Sequence, residues 1–217
     1  MRIGKRLEKL LSLLDKNLGA VADIGTDHGF LAVRAVIDKN AKKVYATDIS
    51  AESLSKAADL SVRMGLSGQI ECVVSDGFDR LNERLDAAVI AGMGGHEIVK
   101  ILGRVDPFQV KTYLLQPMQD VEVLREWLLL NGFEIVYDET VMDRGKFYSA
   151  IKCVYSGVKK ECEIKDIIFG KTDLENKGQD FIEYLQFNIQ SLQARKNHLN
   201  SFDQKKLELM SNLVLGK

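Results

Sequence analysis

The run Val21-Ala22-Asp23-Ile24-Gly25-Thr26-Asp27-His28-Gly29-Phe30-Leu31 concentrates more potential chemistry than any other stretch of the chain. Its first half is apolar and strand-like, with one carboxylate, Asp23. Two glycines then bracket Thr26, Asp27 and His28, and a helical pattern begins. A strand, a glycine turn and a helix start is how an α/β sheet presents backbone N–H groups to a nucleotide-like ligand. The spacing Asp-x-Gly-x-x-x-Gly is not the Gly-x-Gly-x-x-Gly of dinucleotide binders. The acid ahead of the first glycine suits a ligand with an amine and no pyrophosphate, such as S-adenosylmethionine. Asp23 can accept from that amine, while Gly25 lets the backbone pass close to the ligand.

Three further strand-like runs end in residues of the same character. Asp48-Ile49 closes the second, where a carboxylate can accept both hydroxyls of a ribose; that feature also suits a nicotinamide cofactor. Asp76-Gly77-Phe78 closes the third, offering an acceptor for an adenine amine and an apolar neighbour for the ring face. Gly92-Met93-Gly94-Gly95 closes the fourth. Three glycines in four residues cost conformational entropy, which implies close approach of backbone and ligand. Gln116-Pro117-Met118 follows the fifth, where an amide can meet a base edge. Asp27 and His28 sit on the first turn, beside the expected reacting group. His96 and His198 have no comparable setting.

These residues need a scaffold that gathers strand ends. Ile3, Leu7, Leu10, Leu11 and Leu14 predict a first helix with one buried stripe. Strands are predicted at 20–25, 43–48, 69–74, 86–91 and 111–116. Helices are predicted at 29–38, 51–64, 95–104 and 120–131. Ser50 is a plausible N-cap, and Gly65 a left-handed stop. Strand-like runs at 133–141 and 146–155 flank Asp143-Arg144-Gly145, a hairpin-type turn. Strands alternating with helices, then a closing hairpin, predict an α/β fold with a mostly parallel seven-stranded sheet. Beyond about residue 157 strand patterns cease. Phe181, Leu185, Ile189, Leu192 and Leu199, then Leu207, Met210 and Val214, predict two antiparallel helices. The domains expected are therefore 1–156 and a helical tail, 157–217.

Composition sets outer bounds. The 217 residues are 46% hydrophobic with two prolines, which fits packed soluble domains. No apolar run is long enough to span a membrane, and no signal peptide is evident, so a cytoplasmic location is expected. Cys72, Cys153 and Cys162 lack the spacing of a zinc site or a disulfide framework. No metal is expected, and Cys72 and Cys153 are read as core residues. Net charge is −1, but residues 1–16 carry Arg2, Lys5, Arg6, Lys9 and Lys16 against Glu8 and Asp15. Such a helix can lie against phosphate or simply face water. The oligomeric state is not legible, with a monomer the default.

Asp-Ile-Gly-Thr-Asp-His-Gly-Phe-Leu, Ile-Ala-Gly-Met-Gly-Gly and Leu-Gln-Pro-Met occur in that order at the ends of strands one, four and five. With Lys5-Arg6-Leu7 upstream and Gly145-Lys146-Phe147-Tyr148 in the hairpin, the chain resembles the bacterial tRNA (adenine-22-N1)-methyltransferase family. The resemblance is strong over about 1–155 and weaker through the tail, which is similar to that family's coiled-coil-like C-terminal domain. Gly29-Phe30-Leu31-Ala32 stands where Ala-Tyr-Leu-Pro is frequent, and Met118 where Asn is frequent. The resemblance implies a Rossmann-like class I methyltransferase fold and S-adenosylmethionine as cofactor. It also implies tRNA as partner, with transfer to N1 of an adenine. Cofactor contacts then fall to Asp23, Gly25, Thr26, Asp48, Ile49, Asp76, Gly77, Phe78, Gly92 and Met93. Asp27, His28 and Gln116 are the candidates for handling the base. The competing readings are a methyltransferase with another acceptor, RNA or small molecule, and a non-catalytic RNA-binding protein.

Overall fold

A computed structural model describes residues 3–216; Arg2, counted above in the basic helix, lies outside them. The chain runs α1 (Lys5–Leu13), β1 (Ala20–Ile24), α2 (Phe30–Lys39), β2 (Lys43–Asp48), α3 (Ala51–Arg63), β3 (Ile70–Val74) and β4 (Leu85–Met93). It continues through α4 (Gly95–Leu102), β5 (Val110–Pro117), α5 (Val121–Leu130), β6 (Phe133–Asp143) and β7 (Lys146–Tyr155). The tail holds α6 (Ile164–Ile168), α7 (Lys171–Asn176), α8 (Gln179–Ala194) and α9 (Ser201–Val214).

All seven strands form one sheet in the order β3-β2-β1-β4-β5-β7-β6. β1 to β5 are parallel, while β7 runs antiparallel to both β5 and β6. The order reverses between β1 and β4. Chain leaving those neighbouring strands goes to opposite sides, which opens a crevice beyond their carboxyl ends.

Strand side chains alternate between the two faces of the sheet. Ala88 and Ile90 of β4 join one core with Ile98 and Leu102 of α4 and Leu124 and Leu128 of α5. Ala87 and Val89 join the other with Leu10 and Leu11 of α1 and Leu31, Ala35 and Val36 of α2. Both faces are covered, as a parallel sheet requires.

Local signals act as read from the sequence. The Ser50 hydroxyl accepts from the Ser53 N–H at 3.3 Å, capping α3. Gly65 takes a φ of +70° beyond α3. Arg144 and Gly145 take φ of +51° and +76°, so both central residues of the β6–β7 hairpin are left-handed, as a tight two-residue turn demands. Cys153 is fully buried, whereas Cys72 is only half-buried.

Three details differ from expectation. β4 does not stop at Ala91: its register shifts between Ala91 and Met93, and Met93 still pairs with Pro117. The tail is more than a hairpin, because α6 and α7 precede it. Their apolar residues are too few to show a helical period, and tertiary contacts hold them. Leu199 lies after α8, in the connection to α9, and not on the α8 stripe. Ile168, Phe169, Phe181, Leu185, Leu192 and Met210 give the tail its own apolar core.

Candidate active site

Asp23, next to last in β1, lies between Ala46 of β2 and Val89 of β4, in the middle of the sheet. Its side chain is buried, and one oxygen accepts from the Thr26 hydroxyl at 2.8 Å. Burial pushes its pKa up to about 6. The Thr26 hydroxyl and the Ala32 N–H counter that rise, and the nearby Asp48 charge adds to it. The turn is pinned from the side, since the Gly25 and Thr26 N–H groups both donate to the Thr47 carbonyl, at 2.7 and 2.8 Å.

Gly25 and Gly29 both have positive φ. A Cβ on Gly25 would overlap the Met93 methyl, and one on Gly29 would lie 2.9 Å from the backbone of Ala57 in α3. Between them, Asp27 and His28 face outward, with a carboxylate oxygen 3.2 Å from His28 Nε2. The His28 ring also leans on Phe30, centroids 5.4 Å apart. This loop and the end of β4 enclose a cleft of about 370 Å³ lined by Asp23, Gly25, Thr26, His28, Gly92 and Arg6.

Asp48 ends β2 next door and accepts from the Ser50 N–H at 2.6 Å, leaving its other oxygen uncommitted by that bond. Ile49 beside it is 73% exposed, an apolar surface at the crevice rim. Gly77 ends the third position with φ +61°. Arg104 holds the Asp76 carboxylate at 2.8 Å, and this bond depresses its pKa. The Phe78 side chain does not line the crevice: it is buried and meets Tyr113 edge-on at 6.5 Å. Apolar character at position 78 reflects core packing.

Gln116 also differs from its reading as a base-edge contact. Its side chain is fully buried, donating to the Pro117 carbonyl at 2.8 Å and accepting from the Arg6 guanidinium. Arg6 is the residue that reaches the cleft. It lies over the Tyr148 ring at 5.4 Å and reaches Met118 Sδ at 3.4 Å. Sequence reasoning placed Arg6 only within a basic helix. The Lys5-Arg6-Leu7 motif was the available signal, but nothing local ties it to residues more than a hundred positions away. Gly92 takes a φ of +82° at the β4 bulge. His96 and His198 lie outside the residues lining this cleft.

Among the described residues no group of three or more His, Cys, Asp or Glu side chains is placed to hold a metal ion. No helix among them is long and apolar enough to cross a membrane.

The strand order and the cleft at its reversal define a Rossmann-like methyltransferase fold. A family model described as a methyltransferase domain matches residues 3–151, and the chain belongs to that family. A Mycoplasma pneumoniae protein provisionally assigned as a tRNA methyltransferase is 37% identical over 149 residues, covering 66% of this chain and 68% of that one. The Bacillus subtilis tRNA (adenine(22)-N(1))-methyltransferase is 29% identical over 70% of this chain and 64% of its own length. Among solved structures, M. capricolum TrmK in complex with S-adenosyl-homocysteine superposes with a TM-score of 0.82. It is 28% identical and covers 99% of this chain and 95% of that one.

Proposed function

We propose that this protein transfers a methyl group from S-adenosylmethionine to N1 of an adenine in tRNA, adenine 22 by similarity to its relatives. The observation that carries the cofactor half is the cleft at the sheet's switch point. There a buried carboxylate, Asp23, stands beside Gly25, where a Cβ would overlap the Met93 methyl, and Asp48 ends the neighbouring strand. This pair of acceptors fits an amino acid joined to a nucleoside. The full-length likeness to TrmK, a structure solved with S-adenosyl-homocysteine, supports the same ligand.

In this reading Asp23 accepts from the ammonium group of the methionine moiety and Asp48 from the ribose hydroxyls. Asp76 accepts from the adenine amine, sharing its carboxylate with Arg104. Gly25, Thr26, Gly77, Gly92 and Met93 supply close backbone, and Ile49 flanks the ring. Bound there, the cofactor supplies an electrophilic methyl carbon on a sulfonium. Adenine N1 has a free lone pair at neutral pH, so no strong base is required and positioning supplies much of the catalysis.

The methylated base becomes cationic. Asp27, on the exposed turn beside the cleft, provides a carboxylate for the exocyclic amine as that charge develops. His28 orients it. Gln116 acts from behind, as the acceptor that fixes Arg6, and Arg6 holds the phosphate side of the target nucleotide. Because N1 lies on the Watson–Crick edge, the adenine enters the cleft unpaired. Residues 1–156 form the catalytic unit and 157–217 a substrate-holding tail. With tRNA as substrate, the location is cytoplasmic.

The test is incubation with methyl-labelled S-adenosylmethionine and tRNA lacking the modification. Label is expected in the tRNA. Cofactor binding without transfer to tRNA would send the search to other acceptors.

A further inference from the structure

Away from the cleft, a pair of aromatic rings joins the hairpin tip to the tail. Phe147, second residue of β7, meets Tyr184 at 5.8 Å and Phe187 at 5.9 Å, both on α8. The buried stripe of α8 is Phe181, Leu185 and Leu192, and Phe187 lies off it, 61% exposed. The buried stripe of α8 therefore does not explain a phenyl ring at 187, whose neighbours one turn away on the helix are Glu183, Tyr184, Gln190 and Ser191.

The surrounding charge is mixed, with cations in excess. Arg144 and Lys146 at the hairpin tip, and Arg195 and Lys196 past α8, are exposed and make no ion pair among the described residues. Asp180 and Glu183 at the start of α8 keep their charge while accepting from the Met142 N–H and from Gln179, so the four cations outnumber these two acids.

The patch is also continuous with the cleft. Arg6 lines the cleft and rests on Tyr148, the residue after Phe147. Met118, Phe147, Tyr148 and Tyr184 then border one small cavity of about 70 Å³. Tyr148, Phe147 and Tyr184 thus run from Arg6, at the cleft, to α8.

We propose that Phe187, backed by Phe147, is a stacking platform for an unpaired tRNA base near the target adenine, with Arg144 and Lys146 holding the adjoining phosphates. This rests on the tRNA reading above. An exposed ring with unpaired cations beside it matches the way single-stranded nucleic acid is held, by base stacking together with backbone charge.

The full chain and Phe187→Ala are compared for binding of unmodified tRNA and of a fully paired RNA hairpin of similar length. Stacking of one base corresponds to roughly 5- to 150-fold in affinity. The Ala variant is expected to bind tRNA about tenfold more weakly, with the paired hairpin and S-adenosylmethionine bound as before. Phe187→Trp should retain tRNA affinity and show indole quenching on binding. Equal tRNA affinity for wild type and Phe187→Ala would overturn the platform. So would a Phe187→Ala variant that loses self-association while keeping tRNA affinity. Failure of wild type to methylate tRNA would instead refute the substrate reading, and binding is measured separately from transfer for that reason.

Discussion

Replacing Asp23 by Asn should stabilise the free protein while weakening its hold on the cofactor. The carboxylate is buried, and its pKa is raised from the usual 3.8 to about 6. At 1.36 kcal/mol per pKa unit, keeping it ionised costs the folded state ~3 kcal/mol above neutral pH. Asn removes that charge and still accepts from the Thr26 hydroxyl. Its amide cannot also accept from the Ala32 N–H with its nitrogen, a loss of about 1 kcal/mol. The expected net gain is ~1–2 kcal/mol, about 2–8 °C in Tm for a chain of this length.

The sign follows from linkage. A carboxyl whose folded pKa is raised binds more protons folded than unfolded, so its cost is full above about pH 6 and is relieved as the pH falls toward 3.8. The ionisation cost falls by about half, ~1.4 kcal/mol, between pH 8 and pH 5, so the net gain should largely vanish at pH 5. Thermal unfolding at the two pH values measures it, and calorimetry measures cofactor affinity at pH 8. An Asn variant less stable than wild type at pH 8, or a gain unchanged at pH 5, would refute the buried-charge argument. Unaltered cofactor affinity would refute the role of Asp23.

Other outcomes follow from the same geometry. In wild type, cofactor affinity should fall as the pH drops below about 6, when Asp23 becomes protonated; a flat calorimetric profile from pH 5 to 8 would count against it. Asp48→Ala should weaken cofactor binding at least about tenfold through loss of charge-assisted bonds, and calorimetry within threefold of wild type would contradict that. Arg125 is buried, donates to Asp138 at 2.7 Å and 3.1 Å, and reaches the Ile168 carbonyl of α6. Asp138→Ala strands that guanidinium, so urea unfolding should show a loss of about 3–5 kcal/mol; less than 1 kcal/mol would show that the pair is not the joint between sheet and tail. Gly29→Ala forces a side chain onto left-handed backbone against Ala57, and should cost about 1–3 kcal/mol in the same assay.

Much of this fold is legible because its signals are local. Each parallel strand is a short apolar run, and the polar residue that ends it, Asp23, Asp48 or Asp76, marks the crevice side of the sheet. Ser50, Gly65 and Arg144-Gly145 announce a cap, a stop and a turn from their own chemistry. What the sequence conceals depends on distant partners. Gln116 reads as a free amide at a strand end, yet it faces Arg6, 110 positions earlier, and is sealed by it. Phe78 follows an Asp-Gly turn but points inward to Tyr113. The short helices α6 and α7 have little periodicity of their own. They are fixed by Arg125, and by Asp173, which accepts from both the N–H and the hydroxyl of Thr140. Side-chain direction at a strand end, more than strand position, is what a one-dimensional reading misses.

The most direct measurement is the identity and position of the product nucleoside. Unmodified tRNA would be treated with the protein and S-adenosylmethionine, digested to nucleosides for mass spectrometry, and mapped by primer extension. Expected is 1-methyladenosine, with an extension stop at position 22. A different methylated nucleoside, or none from a protein that binds the cofactor, would contradict adenine N1 transfer to tRNA.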